Sequence, residues 1–86
     1  MDNQAKSPDQ PVLGRIQQLV EEEHRLYEQG EKRTLDDADR QKLATVQVEL
    51  DRCWDLLRQR RALRVAGLDP DQAEVRPAKV VESYEQ

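Results

Sequence analysis

Leu43, Val46, Leu50, Cys53 and Leu57 recur at alternating three- and four-residue intervals. That spacing keeps one stripe of an α-helix apolar over about four turns and leaves the rest of its circumference to water. A second stripe precedes it. Val12, Ile16, Leu19 and Leu26 follow a 4-3-7 spacing, and Leu13, Val20 and Tyr27 repeat every seven residues beside them. Each stripe is too narrow to be covered by its own helix, so the two must cover each other. Charged residues make up 37% of the chain and apolar ones 36%, a balance too polar for a globule dry on all sides but suited to helices with one dry stripe. Eighty-six residues allow one domain with a small core. No segment alternates at period two for long enough to form a strand.

Local signals set the expected boundaries. Residues 1–10 are polar, with Ser7 and Pro8 as breakers, and read as a flexible tail. Helix one is expected over 12–29, about 27 Å, ended by Gly30 in the left-handed C′ position. Gly30 to Arg33 form the connection, and Thr34 is the expected N-cap, with Asp36 and Asp37 near the positive end of the dipole. Helix two is expected over 35–66, about 48 Å, ended by Gly67 with Leu63 and Leu68 as the apolar pair of a Schellman stop. So short a connection makes the helices antiparallel neighbours. Folding about residues 31 and 32 pairs Leu19 with Leu43, Ile16 with Val46 and Leu13 with Leu50, puts Trp54 near the start of helix one, and leaves helix two overhanging by two or three turns. The arm, 68–86, carries a capped turn at Asp69-Pro70-Asp71-Gln72. A second turn could start at Pro77, with Val80 and Tyr84 on one face. The expected fold is all-α: an antiparallel two-helix hairpin over 11–67, a short coiled coil with a longer second helix, and a C-terminal arm folded onto the overhang near Leu56 and Leu63.

One Cys implies no internal disulfide and hence no oxidising compartment. No apolar run can span a bilayer, and the N-terminus lacks an export pattern. The expected location is the cytoplasm, with no membrane role. The net charge of −4 disfavours general nucleic-acid affinity, but the charge is uneven. Glu21 to Asp39 hold eight acidic and three basic residues, whereas Arg52 to Arg64 hold five Arg and one Asp.

Few side chains could carry chemistry. Glu21 and His24 are spaced to share a metal on a helix, but they fall on the outer face, opposite the cations of Arg40 to Lys42. No metal or other cofactor is expected. Glu23 lies on the seam between Leu19 and Leu26, and Arg40 is its expected ion-pair partner. Cys53 has no His within reach and reads as a small core residue. Gly-rich phosphate loops, CxxC pairs, HExxH and GxSxG are absent, so no catalytic residue is assigned and the chain is not read as an enzyme. Trp54 sits where helix one runs out, within the basic cluster of Arg52, Arg58, Arg60, Arg61 and Arg64. Trp54, Arg58, Arg60, Arg61, Arg64 and, on the arm, Tyr84 are the expected partner contacts. The expected function is a small interaction module, docking to a protein partner or pairing with itself through the end of helix two and the arm. The alternative is a nucleic-acid or ribonucleoprotein factor using the Arg cluster.

Three stretches are similar to a family of short uncharacterised proteins found mainly in actinobacteria, classed as a domain of unknown function. They are Glu22-Glu23-His24-Arg25-Leu26, the run Glu49-Leu50-Asp51-Arg52-Cys53-Trp54-Asp55-Leu56-Leu57-Arg58-Gln59-Arg60-Arg61, and the arm residues Asp69, Pro70, Asp71, Arg76, Pro77, Val80, Val81, Glu82 and Tyr84. The likeness runs from about Ile16 to Gln86, and the first ten residues and the linker around Lys32 and Arg33 depart from it. It implies a bacterial, cytosolic, helical protein and transfers no activity.

Overall fold

The computed structural model describes residues 9–77. Expectations for Ser7, Tyr84 and a turn after Pro77 lie outside the described residues. Helix α1 runs Gln10–Lys32 and helix α2 runs Asp37–Val65, followed by a 3-10 turn at Pro70–Gln72. The helices pack antiparallel, and the turn lies against α2. Ile16, Leu19 and Leu26 of α1 are buried, as are Val46, Leu50 and Leu57 of α2. Val12 and Cys53 pack against this core from its open end. Each buried aliphatic side chain contributes about 1.5–3 kcal/mol, against the entropy of ordering two long helices.

The bend differs from expectation. Gly30 does not stop α1, which continues to Lys32 and closes with the Arg33 N–H donating to the Gln29 carbonyl at 3.0 Å. Glycine inside a helix costs about 1 kcal/mol, and at this position it carries Leu35. A Cβ on Gly30 would sit 3.5 Å from Leu35 Cγ, an ordinary packing contact. Arg33 is extended (φ −159°, ψ 161°), and α2 begins at Asp37 with Asp36, not Thr34, as N-cap. The Asp36 carboxylate accepts the Asp39 N–H at 2.8 Å. That bond holds its pKa below the usual carboxylate range. Capping at Asp36 leaves Leu35 just ahead of the helix, where it turns half-buried over Gly30.

Moving the bend toward Asp36 changes which residues face each other. Gln47 Nε2 donates to Tyr27 Oη at 2.9 Å and to Glu23 Oε2 at 3.5 Å. Arg25, Leu26 and Gln29 share a shallow hollow with Asp39 and Lys42, and Val12 and Arg15 share one with Cys53 and Leu56. Relative to the expected pairing of Leu19 with Leu43 and Ile16 with Val46, α2 has slid by about one heptad. Leu13 is consequently half exposed instead of sitting on Leu50. Glu23 meets Gln47 and Tyr27, while Arg40 bonds Asp37 and the Leu35 carbonyl, so the expected Glu23–Arg40 ion pair does not form. The overhang of α2 is also lost, because Asp9, just ahead of α1, already lies against Arg60 and Arg64.

The far end of α2 follows the sequence signals. Gly67 adopts φ +78°. Its N–H donates to the Arg64 carbonyl at 3.0 Å, and that of Leu68 to the Leu63 carbonyl at 2.8 Å, the two bonds of a Schellman stop. Asp69 then caps the 3-10 turn, accepting the Asp71 N–H at 2.9 Å.

The two glycines are therefore expected to respond oppositely to alanine in urea melts. Gly30→Ala gains roughly 0.5–1 kcal/mol, because a helical glycine is replaced by a better helix former. Gly67→Ala loses roughly 1–2 kcal/mol, because a Cβ is forced into the left-handed region.

Candidate interaction site at the open end of the hairpin

Asp9 occupies the N-cap position of α1, yet its side chain makes no capping bond. Only its backbone carbonyl serves the helix, accepting the Leu13 N–H at 2.9 Å. The carboxylate turns across to α2 instead. Arg60 Nε donates to Oδ1 at 2.8 Å, Arg64 Nη2 to Oδ1 at 2.5 Å and Arg64 Nη1 to Oδ2 at 3.0 Å. Arg60 also reaches Asp71 Oδ1 at 3.0 Å and the Pro70 carbonyl at 3.4 Å. One guanidinium, only 8% exposed, thus ties together the start of α1, the end of α2 and the turn. The hydrogen bonds from Arg64, and then those from Arg60, outweigh partial burial and lower the Asp9 pKa to about 2.

A second ion pair fastens the arm. Asp55 is 2% exposed although it lies on the back of α2, away from α1. Arg76 covers it with a two-pronged pair, Nη2 to Oδ1 at 2.8 Å and Nε to Oδ2 at 3.0 Å. Gln59 Nε2 adds a bond to Asp55 Oδ2 at 2.9 Å and another to the Glu74 carbonyl at 2.8 Å. Arg52 Nε donates to the Arg76 carbonyl at 3.1 Å. These polar groups are satisfied by one another, which is the condition for burying them. Val75 then faces Leu56, Cys53 and Val12 across a groove of about 300 Å³. Burial in this apolar setting raises the Cys53 thiol pKa above its usual value and weakens it as a nucleophile.

The expected contact residues therefore separate. Arg60 and Arg64 are engaged inside the molecule, so they do not form an open docking cluster with the others. Arg58 and Arg61 are exposed and form no ion pair among the described residues. Trp54 is 42% exposed and stands outside the buried cluster. Glu21 and His24 face solvent. Sequence reasoning missed Asp9, Asp55 and Gln59 as fastening groups. A signal for the Asp55 pair was present, because the arm carries only two cations, Arg76 and Lys79. A carboxylate under the arm has few partners to choose from.

One face of the hairpin carries half-exposed apolar side chains among the described residues. Leu13, Val20 and Tyr27 form a column along α1, each between 39% and 48% exposed. Tyr27 lies beside Gln47, and Trp54 follows Gln47 one heptad on along the same side of α2. The described part of the arm, up to Pro77, packs against Arg52, Asp55, Gln59 and Arg60.

Residues 8–86 match the family described as "Protein of unknown function (DUF2630)". The chain belongs to this family. Uncharacterized proteins of Mycobacterium bovis and Mycobacterium tuberculosis are each 48% identical to it over 80 residues, covering 92% of this chain and 92% of the relative. No solved structure matches. The family match takes in Asp9, Asp55, Arg60, Asp71 and Arg76 together.

The Asp9 bridge has a pH signature. Its folded pKa lies below its unfolded value, so its contribution is complete above the unfolded pKa and is lost as pH falls through the folded one. Stability is expected to drop by roughly 1 kcal/mol from this group between about pH 4 and about pH 2, the shift being discounted for the solvent that reaches the pair. Asp9→Asn is less stable at neutral pH and lacks that component of the acid loss. Urea melts at several pH values measure both.

Proposed function

We propose that this chain is a small, non-catalytic helical interaction module that docks to another protein through the ridge of Leu13, Val20, Tyr27 and Trp54. The observation that carries the reading is the half-exposure of these four large side chains on the two helices; the other large apolar side chains exposed among the described residues, Val65, Leu68 and Val75, lie at the end of α2 and on the arm. Large side chains half-covered in a row, with Trp54 flanked by Arg58 and Arg61, are the composition of a binding hot spot. The site has moved from the expected overhang, which does not exist in this register, to the side of the hairpin. We read the seam as a short antiparallel coiled coil and the cytoplasm as its compartment, on the strength of the heptad spacing and the lone cysteine. Among the described residues no helix is long and apolar enough to cross a membrane.

The nucleic-acid alternative draws less support. Two of its five arginines, Arg60 and Arg64, are committed to Asp9, and Arg52 is paired with Glu49. Tagged wild type and Trp54→Ala, recovered from the native cells with and without nuclease, separate the readings. Docking through the ridge predicts a nuclease-resistant protein partner, lost with Trp54→Ala and kept with Lys42→Ala on the opposite side. Equal recovery by wild type and Trp54→Ala removes the proposal.

A further inference from the structure

We infer that the furrow between α1 and α2 on the face opposite the ridge is a docking groove for this chain's own residues 78–86, entered at the apolar hollow beside Val75 and followed toward the bend, so that Glu82 meets Arg25 and Lys42. The inference stands on residues other than those of the ridge and is independent of that reading.

Two hollows between the helices are parts of one furrow. The first, of about 300 Å³, lies among Val12, Arg15, Glu49, Cys53, Leu56 and Val75. The second holds Glu22, Arg25, Gln29, Asp39 and Lys42. Arg15, Glu22 and Gln29 succeed one another by sevens on α1, as do Lys42 and Glu49 on α2, and residues seven apart keep to one side of a helix. Leu13, Val20 and Tyr27 of the ridge each come two positions earlier, about 200° around α1. The furrow is therefore apolar toward the open end, polar toward the bend, and turned away from the ridge.

The described arm already leads into it. Gln59 donates to the Glu74 carbonyl, Arg76 pairs with Asp55, and Arg52 donates to the Arg76 carbonyl. The arm thus steps back along α2 toward the bend, with Val75 in the wall of the apolar hollow. Ala73 is extended (φ −66°, ψ 143°), and Pro77 favours the same conformation at Arg76. From Arg52 to Lys42 α2 descends about 15 Å, a distance that an extended chain covers in roughly four or five residues. The same path continued from Arg76 brings Glu82 to the level of Lys42. Val80 and Val81 come just before it, and because neighbours in an extended chain point to opposite sides, one of the two faces the furrow in either phase. Arg25 and Lys42 are exposed and form no ion pair among the described residues, whereas Asp39 between them is taken by Arg33. The cations left over suit the acid that follows the two valines. Tethering at Arg76 also gives this segment an effective concentration on the order of millimolar, an advantage that a separate peptide lacks. Occupied in this way, the furrow is closed to other partners on the Cys53 side and the ridge stays open.

Disulfide closure in a glutathione redox buffer tests this in the full chain carrying Cys53→Ala. Lys42→Cys/Glu82→Cys puts one thiol in the furrow, and Ala44→Cys/Glu82→Cys puts it at nearly the same height but about 200° around α2. The expected result is an effective concentration for closure about tenfold or more higher in the first pair. Adding Val80→Asp/Val81→Asp to the first pair should bring it down to the level of the second while the helical circular dichroism is kept. Equal closure by the two pairs, or closure by the first that is indifferent to the two aspartates, overturns the inference. So does a bond that forms between chains and grows with protein concentration, which would assign the furrow to a second copy. None of these substitutions touches Leu13, Val20, Tyr27 or Trp54, so failure here leaves the ridge proposal standing.

Discussion

A seam that repeats every seven residues can close on itself in several registers, each one heptad apart, with the same faces meeting in all of them. The bend between Lys32 and Asp37 decides among them. Leu35 resting on Gly30 and Asp36 capping α2 set how far α1 runs before the chain turns. Everything farther along follows from that length. It puts Tyr27 beside Gln47, leaves Leu13 at the edge of the seam, and brings Asp9 up to Arg60 and Arg64.

The open end is fastened by charge where the apolar seam runs out. Asp9 gives up its capping role to bridge two arginines of α2, and Arg60 carries the connection on to Asp71. Such pairs add little net stability once desolvation is counted, but breaking one costs more, because it leaves a partner buried and unpaired. Their effect is selective. A slip of one heptad would strand the Asp9 carboxylate away from Arg60, so the ion pairs penalise the registers that the apolar seam tolerates. Asp55 and Arg76 do the same for the arm. Two of the four cations that sequence reasoning assigned to a partner, Arg60 and Arg64, are fastenings of the molecule itself. What remains outward is Arg58, Arg61 and the ridge beside them.

Much of this was legible in the sequence. The two stripes, the hairpin and the Schellman stop at Gly67 followed from spacing and from the one position where only glycine fits. The capped turn at Pro70 followed from Asp69. The register was not legible. Thr34 and Asp36 are both competent caps, Gly30 can end a helix or lie within one, and the heptad repeat is blind to a slip of seven. The ion pairs escaped for a related reason. Asp9 and Arg60 are far apart in sequence, and their meeting depends on the register. Arg60 therefore read as part of an exposed cluster, although it is among the most buried side chains in the molecule.

The register is the claim on which the ridge, the fastenings and the proposed site all rest, and nuclear Overhauser contacts in the labelled protein test it most directly. The account predicts cross-peaks between the Tyr27 ring and the Gln47 carboxamide protons, and between the Gly30 α-protons and the Leu35 methyls. Cross-peaks joining the methyls of Leu13 to those of Leu50, and of Leu19 to those of Leu43, with none from Tyr27 to Gln47, would contradict it.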